Sequence, residues 1–586
     1  MNRREFTQLL AIASAANIFP RTAFSNHTAS RPESMYDIPN FGNARLLHIT
    51  DSHAQLKPIY FREPSVNIGI RHEDGKPPHI VGQPFLDYFN ISANSIQSHA
   101  FTSLDFIAAA EKFGKVGGYA HLSTLVKQLR QSYGDNNRSL LLDGGDTWQG
   151  SATAYWTRGM DMVEASNLLG VDVMTGHWEF TYQDTEVLSN IEAFNGEFLA
   201  HNVKVNEDAL FEGSPAYDED EGYAFKPYTI KTMGEHRVAV IGQAFPYTPI
   251  ANPSRFIPDW TFGIQAQELQ DLIDEVKETE QPDAVVLLSH NGMDVDIKLA
   301  ATVGGLDAIL GGHTHDGVPK PVEVTNAAGG TTLVTNAGSN GKFVGVLDLE
   351  LGKGHVKGFR YTLLPVFSNY LEADPEMDTF INDVRAPYES QLNETLAVSD
   401  ELLYRRSNFN GTFDQVICDA LREVNSAEIS LSPGFRWGTT VMPGQNITFE
   451  HVMDQTCITY PETYTREMTG SEIKAILEDV CDNLFNVDPF YRQGGDMVRV
   501  GGMDYVCDPL AGFGERISNM TLDNGKTVEA NKRYKVAGWA TVNAQAEGAP
   551  IWDVVAGYLR DKKQFSIEKL NTPKLKNMAG NKGIVT

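Results

Sequence analysis

The sequence predicts an α/β protein of two domains, on three observations. Short apolar runs of strand length end abruptly on aspartate or histidine, as in RLLHIT before Asp51, SLLLDGG before Asp146 and DAVVLLS before His290. Segments with a helical period alternate with these runs up to about residue 365; in Gly114 to Arg130, Leu122, Leu125, Val126 and Leu129 share one face. A chain of 586 residues also exceeds what one ordinary core holds, so a second domain is expected.

Taken in order, the chain begins with MNRREFTQLLAIASAANIFPRTAFS. It has a basic head with Arg3 and Arg4, Phe6 close behind, then an apolar stretch from Leu9 to Phe19 and small residues. That pattern over residues 1–25 reads as an export signal of the twin-arginine type, which predicts a periplasmic protein. The apolar stretch is short for a bilayer and no later stretch reads as a membrane helix, so no membrane part is expected after signal removal. Residues 26–43 are polar and read as an N-terminal tether.

The first domain is placed at residues 44–365. Directly behind Asp51 and His53 it carries an insertion, about 57–113, rich in Pro, His, Asn and aromatic residues, with a single predicted helix near Ser103 to Lys112. A loop of that length starting beside candidate ligands is read as a pocket wall. Residues 366–397 form a linker in which Asp374 to Ala397 reads as a helical connector. There Met377, Phe380, Ile381, Val384 and Tyr388 share a face and Pro387 imposes a kink. The second domain, 398–575, contains predicted helices Phe413 to Val424 and Ser471 to Asn483, with turns at Ser432-Pro433-Gly434 and Gly494-Gly495. Cys418, Cys457, Cys481 and Cys507 lack C-x-x-C spacing, which speaks against a zinc knot. They are open to one or two disulfides or to four buried thiols.

The chemistry lies in the strand ends. Five runs stop at Asp51 with His53, at Asp146, at His177, at His290, and at His313 with His315. Imidazole with carboxylate suits divalent Mn, Fe or Zn. Seven ligands exceed the needs of one ion, whereas a shared carboxylate serves two, and Asp146 is the bridging candidate. The formal net charge of −28 excludes a phosphate-backbone partner such as nucleic acid. An anionic substrate would need a local positive well, which two divalent ions supply while acidifying a bound water. The implied reaction is metal-assisted hydrolysis of an anionic ester or its analogue.

The motifs DSHAQL, GGDTWQGS, GHWEF, LAHNV around Asn202, SHNG and GGHTHD, in this order, resemble the binuclear metallophosphoesterase and 5'-nucleotidase superfamily. The resemblance implies a four-layer αββα sandwich plus a C-terminal 5'-nucleotidase-type α/β domain. It also implies one metal held by Asp51, His53, Asp146 and His315 and a second held by Asp146, His177, His290 and His313. Two departures stand out. Where phosphoesterases of the family usually carry Gly-Asn-His-Glu, this chain has Gly176-His177-Trp178-Glu179, and the aspartate that pairs with the missing catalytic histidine falls on Thr181. The dyad that aids a poor leaving group is therefore absent.

GHWEFTY, YFREPSVN, KVGGYAHLSTLVK, YRQGGDMVRVGG and YKVAGWA resemble the SoxB thiosulfohydrolase family. That resemblance implies hydrolysis of the terminal sulfonate from a cysteine S-thiosulfonate on the carrier protein SoxYZ, with release of sulfate and two manganese(II) ions as cofactors, zinc being acceptable to the same ligands. The alternative is a 5'-nucleotidase or cyclic-nucleotide phosphohydrolase, and a third reading is a non-catalytic metal-dependent binding protein. By family position Arg436 contacts the substrate anion or forms a surface salt bridge, and Asn202 bonds the developing anion or caps a turn. Trp178 packs against the carrier or belongs to the core, Tyr505 falls near the region where nucleotidases stack a base, and His48 reads as a core histidine.

Overall fold

The apolar runs of the first half assemble into two six-stranded sheets. The computed structural model describes residues 35–134, 136–543 and 546–585, and residues 40–586 form one unit. The expected export signal, and the tether as far as residue 34, lie outside the described residues.

The first sheet runs His355–Pro365, Phe343–Gly352, Ala44–Ile49, Ser139–Asp143, Val173–Met174, Glu197–Phe198, and its last four strands are parallel. The second runs Val322–Thr325, Thr331–Asn336, Ala308–Gly311, Ala284–Ser289, His236–Gln243, Tyr228–Met233, and its four inner strands are parallel. Side chains two apart point to one face of a strand. Thus Leu46, Leu140, Leu142 and Val173 of the first sheet share a core with Val238, Val240, Val286 and Leu288 of the second. The opposite faces are covered as well, so all of Ala284–Ser289 is buried and reads as a continuous apolar run. The covering helices include Tyr119–Ser132, which buries the four residues of its apolar face, and Ala266–Thr279, which buries Leu269, Leu272, Ile273 and Val276. The αββα sandwich is thereby formed.

The second half builds smaller sheets, the largest ordered Thr463–Thr469, Arg533–Trp539, Ile429–Ser432, Arg499–Gly501. The two predicted helices are present and slightly longer, as Thr412–Asn425 and Gly470–Phe485. The latter starts at a capping box in which the Thr469 hydroxyl accepts from the Glu472 N–H and the Glu472 carboxylate accepts from the Thr469 N–H. Its apolar face, Ile473, Leu477, Cys481 and Phe485, packs into the same cluster as Val500, Tyr505 and Val536.

Three local expectations change. The connector breaks into Pro375–Arg385 and Glu389–Leu392 around Pro387, which cannot donate a helical N–H, and it ends before the strand Thr395–Ser399. The insertion holds Gly82–Phe89, Ile96–Phe101 and Phe106–Phe113 where one helix was predicted; helices this short give too few turns to show a period. Finally, Tyr505 is a core residue, 4% exposed, and offers no stacking face. All four cysteines are buried free thiols, with the Sγ atoms of Cys481 and Cys507 3.8 Å apart. Among the described residues no helix is long and apolar enough to cross a membrane.

Candidate metal centre and active site

Every candidate ligand leaves the C-terminal end of a parallel strand. Asp51 and His53 follow Ala44–Ile49, Asp146 follows Ser139–Asp143, His177 follows Val173–Met174, His290 follows Ala284–Ser289, and His313 and His315 follow Ala308–Gly311. The turns are tight: Asp51, His53, Asp146, His313 and His315 have φ of 52°, 44°, 58°, 72° and 58°. Non-glycine residues seldom occupy this left-handed region, and strain of this kind collects at functional sites.

The seven side chains converge into two groups, Asp51, His53, Asp146, His315 and Asp146, His177, His290, His313. All are buried, and within each group the ligand atoms lie within 4.8 Å of one another. Asp146 belongs to both. One of its oxygens is 3.2 Å from His177 Nδ1, and the other is 3.0 Å from His290 Nε2 and 3.7 Å from His53 Nε2. Asp51 Oδ1 lies 3.2 Å from His315 Nε2, and the Nε2 atoms of His53 and His315 face each other at 3.1 Å. Two neutral imidazoles with lone pairs opposed at that distance repel unless a proton or cation sits between them. The donor set therefore fits two divalent ions with Asp146 shared, and its imidazoles and carboxylates suit Mn, Fe or Zn alike.

Electrostatics point the same way. Burial lowers His53 to about 4 and also lowers His177, His313 and His315, keeping these rings neutral, each with one nitrogen lone pair open to a cation. Burial raises Asp51 to about 6, against the opposing pull of His290. Burial would push Asp146 up as well, but His177 and His290 outweigh it and hold its carboxyl well below the usual range. Burial would lower His290, yet Asp146 and Asp51 prevail and raise it to about 10, so the cluster draws positive charge to itself.

The surroundings fix the ligand rings. His290 Nδ1 is 2.6 Å from the Gly144 carbonyl oxygen, which can only accept, so Nδ1 carries the proton and Nε2 faces Asp146. His313 Nε2 likewise donates to the Gln493 carbonyl at 3.1 Å, leaving Nδ1 free. Phe245 packs at 4.1 Å against the rings of both His177 and His313, and Trp437 stacks on His53 at 5.1 Å. Glu179, buried completely, accepts backbone N–H groups from Asp146, Thr147, Trp148 and His177 at 2.7–3.2 Å and so ties two ligand loops together. Sequence reasoning quoted Glu179 within GHWEF without assigning it this task, and it missed Phe245, Gln493, Phe435 and Trp437.

A cavity of about 200 Å³ opens onto His53, Asp146, His177, His313 and His315. Trp178 borders it, 5% exposed, with ring contacts to Phe435 and Trp437, while its backbone N–H donates to Asp146 at 2.8 Å. Thr181 bonds Thr459 through their hydroxyls at 2.6 Å. Arg436 borders the same cavity and is not a surface ion pair: it is buried and donates to Asp496, the Thr314 carbonyl and the Gly495 carbonyl. Asn202 is buried, is not among the residues lining the cavity, and spends its amide on backbone. Its amide donates to the Ala244 and Gly263 carbonyls and accepts the Ala244 N–H, which makes it a backbone clamp. His48 is buried in its strand, pushed down to about 3 by burial, and belongs to the core. The insertion lines an adjoining cavity through Asn67, Ile68, Pro78 and His79, and does not wall the ligand cavity itself.

Comparison with known proteins agrees with this geometry. Residues 395–554 match the family model of the 5'-nucleotidase C-terminal domain. The solved structure of the sulfate thiohydrolase SoxB of Thermus thermophilus is 35% identical with a TM-score of 0.85, covering 92% of this chain and 98% of that one. The 5'-nucleotidase of Bos taurus is 26% identical over 445 residues, 70% of this chain and 73% of that protein. The trifunctional nucleotide phosphoesterase YfkN of Bacillus subtilis is 26% identical over 479 residues; the match takes in 74% of this chain but only 32% of that much longer relative. The chain belongs to the SoxB-type family of metal-binding hydrolases within the 5'-nucleotidase and binuclear metallophosphoesterase superfamily.

Proposed function

We propose that this protein is a thiosulfohydrolase of thiosulfate oxidation. Its substrate is a cysteine S-thiosulfonate on a carrier protein of the SoxYZ type, from which it releases the terminal sulfonate as sulfate. In the balanced step, water adds its oxygen to the sulfonate sulfur, the bond between the two outer sulfurs breaks with its electron pair staying on the carrier as a persulfide anion, and the two protons of water pass to solvent. Manganese(II) is the proposed metal, the periplasm the proposed location, and the twin-arginine signal the proposed route.

One observation carries the reading. The imidazoles that border the cavity, His53, His177, His313 and His315, all belong to the candidate ligand groups. Where phosphoesterases place an acid for the leaving group, this chain has Trp178, and Thr181 is occupied with Thr459. An alkoxide leaving group needs such a proton donor; a persulfide is a far better leaving anion and does not. Bound at Asp51, His53, Asp146, His177, His290, His313 and His315, two divalent ions would supply Lewis acidity and a water acidified for attack. The protein's own contribution is to hold these ligands rigidly, to place the Arg436 guanidinium beside the cavity, and to exclude bulk water with Trp178, Phe245 and Trp437.

The test is sulfate release from thiosulfonated carrier, with metal analysis of the same sample and AMP as the counter-substrate. Release of sulfate with little phosphate from AMP supports the reading. Efficient AMP hydrolysis without sulfate release would return the protein to the nucleotidases, which its sequence relatives represent.

A further inference from the structure

The turn His313-Thr314-His315 gives one ligand to each of the two groups, since His313 belongs with Asp146, His177 and His290, and His315 with Asp51, His53 and Asp146. Both of its histidines have positive φ, 72° and 58°, a conformation that persists only where the surroundings over-determine it. Part of that hold comes from the first half of the chain. The His313 N–H donates to both oxygens of Asp51 at 3.0 Å, and the Thr314 hydroxyl accepts the Met293 N–H at 3.1 Å. The Thr314 carbonyl, between the two ligands, is held from the second half: Arg406 Nη2 donates to it at 2.9 Å and Arg436 Nη1 at 3.2 Å.

Arg436 borders the cavity, whereas Arg406 does not. Arg406 is 2% exposed, and its Nε and Nη1 are buried without a hydrogen-bond partner, which leaves the Thr314 carbonyl as its one acceptor among the described residues. Asp496 and Asp316, each at 3.7 Å, balance its charge but stand too far off to direct it. Desolvating a guanidinium is costly, and the one directed bond it makes here falls on the turn that carries two ligands. The chain on either side is fixed. Leu403 exchanges both backbone hydrogen bonds with Val441 at 2.9 Å, and the Asn408 side chain accepts the Ile68 N–H at 2.7 Å. Arg406 therefore stands as a strut between the two halves of the chain.

We propose that Arg406 is a positioning residue of the metal centre. With Arg436 it holds the Thr314 carbonyl, fixes the strained turn on which His313 and His315 depend, and so sets how the two ligand groups lie relative to each other. It touches no substrate, and the inference stands whichever anion the cavity takes.

The test uses full-length protein stripped of metal and titrated with cobalt(II), whose visible d–d bands report ligand geometry and whose affinity is measured by chelator competition. Arg406→Met keeps a long apolar stem and loses the donor. It should bind cobalt about tenfold more weakly, with a changed band at full loading, and lower kcat for thiosulfonated carrier about tenfold while KM stays within about twofold of wild type. Arg406→Lys, which keeps the charge and a donor, should fall between the two in band and affinity. The proposal is overturned if folded Arg406→Met keeps the wild-type band and cobalt affinity, which with a lowered denaturation midpoint would mark a purely structural strut. It is equally overturned if KM rises while kcat and band are unchanged, which would make Arg406 a substrate contact. Where Arg406→Met does not fold, Arg406→Lys decides: a wild-type band and affinity overturn the proposal, and a shifted band supports it. The cobalt results are independent of substrate, so a carrier that yields no sulfate removes the functional reading and leaves this inference to stand or fall on them.

Discussion

Asp146 shows how much one carboxylate can organise. It lies against His177, His290 and His53, and takes the backbone N–H of Trp178 on one oxygen, so its removal opens both ligand groups at once. Asp146→Ala should lose both metals and bring hydrolysis to background, as measured by metal content per chain alongside sulfate release. Retention of one full equivalent would mean that the two groups do not depend on a shared oxygen. Trp178 yields a second expectation. Trp178→His alone should leave AMP hydrolysis near background, because Thr181 offers the new imidazole no carboxylate. The pair Trp178→His with Thr181→Asp should raise it, by up to about 100-fold if the restored dyad donates a proton as general acids do. The seven candidate ligands were legible at this scale because each lies at, or two residues beyond, an abrupt polar stop after a strand-length apolar run. The sequence left Asn202 open between two roles because its motif position says nothing of where its amide hydrogens go.

The decisive elements are the loops. Those behind the parallel strands carry the ligands, but the loop after Gly470–Phe485 closes over them from the other half of the chain. Its Gln493 carbonyl holds His313, and Gly494 sits so near that a Cβ would lie 2.1 Å from His313 Nε2. Gly494 also has φ +72°, which a side chain rarely adopts. Gly494→Ala should displace the His313 ring, lowering kcat/KM by about 100-fold, the scale set by ångström misplacement at a reacting centre. Metal analysis should show the group containing His313 depleted first; equal loss from both groups would argue for general unfolding. The sequence marked Gly494-Gly495 as a turn, since the glycine pair is local information. It did not reveal what the turn touches, because Gln493 and His313 are 180 residues apart.

Across the whole molecule, the insertion, the first half and the second half meet in one charged knot. Arg492 pairs with Asp294 at 2.7 Å and Glu73 at 2.8 Å, and His79 lies 2.9 Å from Asp294. Burial pulls His79 down, but Asp294 outweighs it and holds the imidazole above its ordinary value of 6.5. Burial pushes Asp294 up, and His79 with Arg492 outweigh it, holding the carboxyl below 3.8. A raised histidine gives stability that is complete below its unfolded pKa and lost as pH rises through the folded one. A depressed aspartate gives stability present above its unfolded pKa and lost as pH falls. The knot is therefore strongest between 3.8 and 6.5, the two ordinary values. Asp294→Asn should cost about 2 kcal/mol in that window, below the scale for breaking a fully buried ion pair because Asp294 is partly exposed, and less at higher or lower pH. Denaturant midpoints of wild type and variant across pH would measure this; a difference independent of pH would rule out the titrating pair.

The sequence by itself determined the class of fold and the seven side chains that converge as candidate ligands. All of these follow from local patterns: apolar runs, turn residues, and polar stops at strand ends. Only the tertiary structure decided which nitrogen of His290 and His313 faces inward, that Glu179 ties two ligand loops together, and that Arg406 and Arg436 meet on the Thr314 carbonyl. These depend on contacts between segments far apart in the chain, where no periodicity or spacing records the partner, and packing alone brings them together.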